Sequence, residues 1–306
     1  MRTSRPNLRP RPGRAARLAN VTDKQTVAYA GEPGAFAEDA VLAYFGAAPV
    51  RVGHPSFRRV FEAVVSGDAD AGLVPIENVV NGTVRENYDL LLEHALEIRG
   101  EVVVPVRLCL AALPGQRLDE IERIYSHIQA LGQAETFLRT RPWQLLTTYN
   151  TAGAGKSIVD RDERGAAAVL SPRAAGLFGL EILVAEVGDL PGNRTRFLVL
   201  ASPGASIPSA TPPSVDLRMR TTLVMAVKNE PGTLLAALRV FAEHGLNMSA
   251  LESRPSRERA WEYVFWVELD ADAGAPETQA ALAGLRAVTT MVRVLGSYPR
   301  ARDDPA

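Results

Sequence analysis

From Thr26 onward short apolar segments alternate with amphipathic ones, and this alternation restricts the fold more than any other feature of the chain. Val27-Ala28-Tyr29-Ala30 reads as a strand, Gly31-Glu32-Pro33-Gly34 as a turn and Ala35–Phe45 as a helix. Phe57, Val60, Phe61, Val64 and Val65 then follow the spacing of an amphipathic helix. Strands separated by helices imply βαβ crossovers and a mainly parallel sheet, whose ligands bind beyond the carboxyl ends of the strands. The apolar run Val102–Leu113 is too long for an ordinary strand and is read as a passage from one lobe to another. Further strands are expected at Ala71–Val74, Ile124–His127, Leu145–Tyr149, Ala166–Leu170 and Ile182–Ala185. Helices are expected from near Thr83, over Leu131, Ala134, Phe137 and Leu138, and over Pro172–Phe178.

After Ala201 the composition turns to Ser, Pro and Ala, the mark of a linker, placed at 202–218. Beyond it the order is strand Thr222–Val227, helix Thr233–Glu243, strands Met248–Glu252 and Tyr263–Leu269, helix Thr278–Ala287 and strand Met291–Leu295. This βαββαβ order is the ferredoxin-like unit, here 219–300, and a unit so small with one sheet face bare is expected to pair with a copy of itself. The first part, 26–201, divides into lobe one, 26–105 plus 194–201, and lobe two, 106–193.

A net charge of −1, with no basic patch interleaved with aromatics in the body of the chain, argues against nucleic acid as the main partner. No apolar run is long enough to span a membrane. The single cysteine, Cys109, lies in an apolar run; it allows no intramolecular disulfide, reads as a small core residue and suits a reducing cytoplasm. Residues 1–25 read as a disordered basic tail, since the first twenty hold six arginines and no acid. His and Cys spacings of a metal site are absent, and no cofactor is expected.

Asn193-Arg194-Thr195-Arg196-Phe197 opens the buried run Leu198–Leu200, so Thr195 and Phe197 share one strand face while Arg196 takes the other. Polar groups at the mouth of a buried strand need partners; an anionic substrate would serve, as would a strand cap with a surface ion pair. Pro75-Ile76-Glu77-Asn78 after a strand reads equally as a site or as a turn with Asn at its corner. Ser126 stands where a helix N-cap belongs, and Gln129 and Gln133 lie one helical turn apart. Thr151-Ala152-Gly153-Ala154-Gly155-Lys156-Ser157 imitates a phosphate loop, but Asn150 occupies the position of its first glycine. A helix start of small residues packed against the sheet is the better reading.

Five of these stretches, in order, resemble the prephenate dehydratase family across nearly the whole chain: Gly31–Phe36, Val74–Asn78, Ser126–Leu131, Asn150–Ala152 and Asn193–Phe197. The region beyond the linker resembles the ACT regulatory domain, through Pro231–Leu235 and Leu251–Pro255. The resemblance implies two α/β lobes about a cleft, like a periplasmic binding protein, with the C-terminal ferredoxin-like ACT domain appended. It implies prephenate as substrate and decarboxylative dehydration to phenylpyruvate. Thr195 would sit at the reacting centre with Arg196 and Phe197, and Glu77, Asn78, Ser126, Gln133 and Thr151 would bind substrate. L-phenylalanine would act as feedback effector between paired ACT domains of a homodimer or homotetramer, held by Gly232, Thr233, Leu234, Leu235, Asn247, Glu252, Ser253, Arg254 and Pro255. A chain ending at Ala201 is then expected to keep turnover and ignore phenylalanine. Departures from the family pattern are Ala37, Val79, Ile128 and Ala134; Val79 replaces a small hydroxyl residue. Arogenate as substrate, a decarboxylase that leaves the ring non-aromatic, and a non-catalytic amino-acid sensor stand as alternatives.

Overall fold

A computed structural model describes residues 24–207, 218–255 and 263–301, organised as three sheets. Residues 1–23 of the expected basic tail and most of the linker lie outside the described residues.

Lobe one runs β1 (Thr26–Ala30), α1 (Phe36–Phe45), β2 (Val50–His54), α2 (Phe57–Ser66), β3 (Ala71–Asn78), β4 (Gly82–Thr83), α3 (Arg85–Glu93) and β5 (Glu97–Pro105). Lobe two runs β6 (Cys109–Ala112), β7 (Arg123–Ser126), α4 (Ile128–Gln133), α5 (Glu135–Leu138), β8 (Gln144–Thr147), α6 (Thr151–Asp160), β9 (Ala166–Leu170), α7 (Pro172–Leu177) and β10 (Glu181–Val184). The chain then returns to lobe one as β11 (Arg194–Ala201), which enters between β3 and β5 and is antiparallel to both. The long apolar run is thus two strands in two sheets. Neither sheet is mainly parallel: the orders are β2-β1-β3-β11-β5 and β10-β6-β9-β7-β8, each mixing both senses. The returning strand causes this in lobe one, because a chain that comes back from the other lobe is free to enter in either direction.

Several predicted boundaries shift for reasons of pairing. Strand β2 carries little apolar signal, with Val50 and Val52 exposed, and exists because it pairs with β1 at the sheet edge. Strand β3 continues through Pro75–Asn78, which reads as a loop in sequence, because β11 lies beside it. The helix expected over Leu131–Leu138 breaks at Ala134 into α4 and α5. In α6, a Cβ on Gly155 would come within 2.8 Å of Leu170, so the imitation phosphate loop is a close helix-on-sheet contact. Cys109 is fully buried, and burial pushes its thiol pKa up to about 11.

The C-terminal unit is β12 (Met219–Ala226), α8 (Thr233–Glu243), β13 (Met248–Pro255), β14 (Tyr263–Leu269), α9 (Pro276–Val288) and β15 (Met291–Pro299), in sheet order β13-β14-β12-β15 and antiparallel throughout. Helices α8 and α9 cover one sheet face over Leu223, Met225, Phe241, Val267, Leu282 and Leu285. The other face is not bare, as the sequence suggested. Val224, Trp266, Leu295 and Tyr298 join one core with Phe61, Leu91, Ile98, Leu198 and Leu200 of lobe one, and Trp266 meets Tyr88 edge-on at 4.7 Å. At Gly296 any side chain would strike the Ile98 carbonyl, at 2.2 Å, so glycine lets β15 lie directly on β5. Uncovering side chains such as Leu198 and Leu200 costs about 1.5–3 kcal/mol each. The structure therefore argues against an undisturbed catalytic part in a chain ending at Ala201. Among the described residues no helix is long and apolar enough to cross a membrane.

Candidate active site

Between the lobes lies a cavity of about 660 Å³, within the usual range for small-molecule sites. Helix starts converge on it: α1, α2, α3 and α6 from both lobes, joined by the short helices α4 and α7, each bring first-turn or cap residues to its wall. The arrangement follows from strands that feed helices at the cleft end of both sheets, and the amide ends of helices carry partial positive charge. Three of the caps use side-chain oxygens: Ser56 accepts from Arg59 N, Asn150 from Gly153 N and Ser171 from Ala174 N. Arg85 and Glu86 are the charged residues lining the cavity.

At its floor are Thr195 and Asn78, directly opposite each other on β11 and β3. Asn78 Nδ2 donates to Thr195 Oγ1 at 2.9 Å and lies within hydrogen-bond distance of Asn193 Oδ1 and the Arg194 carbonyl. Its Oδ1 accepts from Val80 N at 3.0 Å and Asn81 N at 2.8 Å, which fixes the amide's orientation. Because the Thr195 oxygen already accepts, its hydrogen is available to a ligand.

A register shift makes this possible. Arg196 pairs with Glu77 and Phe197 with Pro75, so Ile76 is the extra residue of a bulge. Without it Asn78 would share a face with Val74 and Ile76, both in the core toward the C-terminal unit. With it Pro75 and Asn78 both line the cleft, although they are three residues apart. Proline suits this place, since a bulge spares its missing amide donor.

Of the residues expected at the site, Thr195, Phe197, Asn78, Gln133 and Thr151 line the cavity. Three do not. Arg196 points away from it, as strand alternation requires, and bonds Glu101, Glu268 and Glu77. Glu77 follows Arg196 to that face and is largely exposed. Ser126 is fully buried and donates to the Val169 carbonyl at 2.6 Å; His127, not Ser126, is the N-cap of α4. Residues the sequence reading left out include Thr83, His127, Asn150 and Ser171. For Asn150 and Ser171 a signal existed: each is a small polar residue between a strand pattern and a helix pattern, where caps occur.

The lobes are clasped around the cavity. Arg173 of α7 pairs with Glu38 at 2.6 Å and with Asp39, both on α1; Ser171 donates to the Gly34 carbonyl, and Tyr149 donates to the Pro55 carbonyl. Burial depresses the His127 pKa below its ordinary 6.5, which keeps Nδ1 able to accept from Gln129 N. The folded chain then binds fewer protons here than the unfolded chain, so this contribution is present above the ordinary pKa and is lost as pH falls below it. Thermal melts of the wild type and His127→Asn, from about pH 7.5 to 5, should show the wild type losing more midpoint temperature on acidification; parallel curves would exclude His127 as the cause.

In the C-terminal unit the expected effector residues occupy two elements and their flanks. Gly232 caps α8 in the left-handed region, and Thr233 Oγ1 bonds the Lys228 and Glu230 carbonyls. Leu234 packs in the core while Leu235 is exposed. Asn247 donates to Asp270 at 2.7 Å. On β13, Ser253 and Pro255 are exposed and Glu252 and Arg254 are half-buried, with Arg254 bonded to Asp89 of α3 at 3.2 Å. No cluster of three or more His, Cys, Asp or Glu suited to a metal stands among the described residues.

Residues 27–205 match the family model described as prephenate dehydratase, and residues 221–287 match the ACT domain. The chain is 37% identical to a bifunctional chorismate mutase/prephenate dehydratase of Aquifex aeolicus over 91% of its own length and 74% of the relative's. It is 36% identical to arogenate dehydratase 2 of Petunia hybrida over 96% and 77% of the two lengths. The solved prephenate dehydratase of Arthrobacter aurescens, in complex with L-Phe, superposes with a TM-score of 0.80 at 33% identity and 92% coverage of each chain. Together with the two-lobed fold and its cleft, these matches establish that the chain belongs to the prephenate dehydratase family and carries an ACT domain.

Proposed function

We propose that this cleft converts prephenate to phenylpyruvate, with L-phenylalanine as an effector bound by the ACT domain. The observation that carries the reading is the Thr195–Asn78 pair: a cleft-lining hydroxyl whose oxygen already accepts, which leaves its hydrogen for a ligand. Prephenate carries a ring carboxylate and, across the ring, a hydroxyl. Breaking the bond to the carboxylate releases carbon dioxide and sends its electron pair into the ring; the ring hydroxyl departs with a pair and, once protonated, becomes water. Aromaticity supplies the drive, so the site has to help the oxygen leave. Thr195 serves as hydrogen-bond donor or general acid to that oxygen, by positioning rather than by a tuned pKa. Phe197 walls the site from water.

The structure changes one role. Arg196 is the natural anchor for a carboxylate in sequence, but it is committed to three carboxylates on the far face. The converging helix starts, with Arg85, are what the cleft offers the substrate's anionic groups. Gln133 and Thr151 orient the substrate.

Phenylpyruvate formation by the purified protein, with and without added L-phenylalanine, is the test. Product that falls with phenylalanine is expected; absence of product from prephenate would end the reading. Glu86 in the cleft wall favours a second reading, arogenate, whose ammonium a carboxylate would attract. Relative turnover on the two substrates decides between them. For assembly, the edge strand β13 with exposed Leu251, and Leu235 on α8, support pairing of ACT domains into a homodimer or homotetramer.

A further inference from the structure

We infer that Glu268 and Arg220 of the C-terminal sheet are positioning residues for the reaction: through Arg196 they fix the strand that carries Thr195. The part of the inference that concerns turnover rests on the function proposed above.

The Thr195–Asn78 hydrogen bond and the Arg196–Glu77 ion pair belong to adjacent rungs of the same β11–β3 ladder, one on the cleft face and one on the far face. On the far face Arg196 Nη1 meets Glu268 at 2.9 Å and Glu101 at 3.0 Å. Arg220 Nη1 meets Glu101 at 2.8 Å and Glu268 at 3.4 Å. Two guanidinium groups and two carboxylates thus close a four-membered network, half from the catalytic lobe and half from the C-terminal sheet, in which Glu101, Arg220 and Glu268 are buried and Arg196 is partly so. Burial opposes the charge on Arg196, yet Glu268 and Glu101 hold its pKa above the ordinary guanidinium range.

Such a network is costly to unbalance. Removing the charge of Glu268 leaves two guanidinium groups sharing Glu101, with only the solvent-exposed Glu77 as a further partner of Arg196, so Arg196 shifts toward Glu77 or draws in water. Its backbone is a rung of β11, so whatever part of that shift the side chain does not absorb passes into the strand. The ladder is least regular at that point, since the Ile76 bulge interrupts it between Arg196 and Phe197. A shift at residue 196 therefore reaches residue 195. Strand β14, which carries Glu268, is paired to β13 along its length, so a displacement of β13 has a route to the cleft.

The alternative is that the network merely glues two domains together. The pair Arg254–Asp89 is the control, for it joins the same two domains without touching β11. Glu268→Gln, Glu268→Asp and Asp89→Asn are compared in the full chain by kcat and KM and by hydrogen–deuterium exchange of the segment 193–200. Glu268→Gln is expected to lower kcat about tenfold with KM little changed, and to speed exchange at Arg194–Phe197 about tenfold. Glu268→Asp, which keeps the charge, should recover part of both; should Glu268→Gln fail to fold, Glu268→Asp alone should still exceed Asp89→Asn in both measures. Asp89→Asn should leave kcat and exchange at β11 within about twofold.

Unchanged kcat and exchange in a folded Glu268 variant would overturn the inference, as would equal effects from Asp89→Asn. Faster exchange without a change in kcat would also overturn it, because the strand would then be loosened without consequence for the reaction. Failure of the wild type to make phenylpyruvate is a separate result. It removes the proposed substrate, while the exchange comparison still decides whether Glu268 fixes β11.

Discussion

Replacing Thr195 by valine should lower kcat by about 10²–10⁴-fold, the range for loss of a positioned proton donor, with KM nearly unchanged. The substitution keeps the shape of the side chain and removes its oxygen. Asn78 Nδ2 loses one acceptor but keeps Asn193 Oδ1 and the Arg194 carbonyl, so no buried donor is stranded and the fold should lose no more than about 1 kcal/mol. Stability and turnover are therefore separable at this position. Substrate binding by calorimetry and initial rates on the same preparation provide the check. If the valine variant turned over at a near-normal rate, the hydroxyl would have no part in the departure of the ring oxygen.

The second large effect is expected at Asn78, and it tests the direction of a hydrogen bond. In the native site the Asn78 amide donates to Thr195 Oγ1, while its carbonyl oxygen accepts from Val80 N and Asn81 N. Asn78→Asp keeps size and the contacts from Val80 N and Asn81 N but turns the donor into an acceptor, so the bonds to Asn193 Oδ1 and the Arg194 carbonyl are lost as well and some stability goes with them. Thr195 would then donate to residue 78, and its hydrogen would no longer point at the ligand. A fall in kcat of about 10²-fold is expected for loss of one positioned donor. The carboxylate also adds negative charge to a cleft that takes an anion, so KM should rise, which Thr195→Val does not predict. Acidification should restore part of the rate as that carboxylate protonates, and a pH profile of the variant would show it. A variant as active as the wild type at neutral pH would mean that Thr195 is oriented by something other than Asn78.

Both predictions depend on features of different legibility. The alternation of Thr195, Arg196 and Phe197 is local: on a strand, neighbours point to opposite faces, and the structure has them so. Cys109, the strand Ala166–Leu170, the helix Thr233–Glu243 and the tight packing of Gly155 were likewise readable, because burial and periodicity leave their mark within one segment. The resemblance pointed to the family, and the comparisons show the chain to belong to it.

What could not be read was which face would meet which neighbour. Arg196 looks in sequence like a substrate anchor, and Glu77 beside Asn78 looks like part of a site. The sequence determines that Arg196 opposes Thr195 across the strand; only the docking of the C-terminal sheet decides that Glu268 and Arg220, some 24 to 72 positions farther along, wait on that side. Likewise the residues Pro75–Asn78 are compatible with a turn, and it is the arrival of β11, from across the other lobe, that draws them into a strand and forces out Ile76. Local sequence sets periodicity, turn chemistry and burial tendency, because these depend on neighbours a few residues away. Register, bulge and charge pairing depend on partners brought together by the whole fold, and so the tertiary structure decided them.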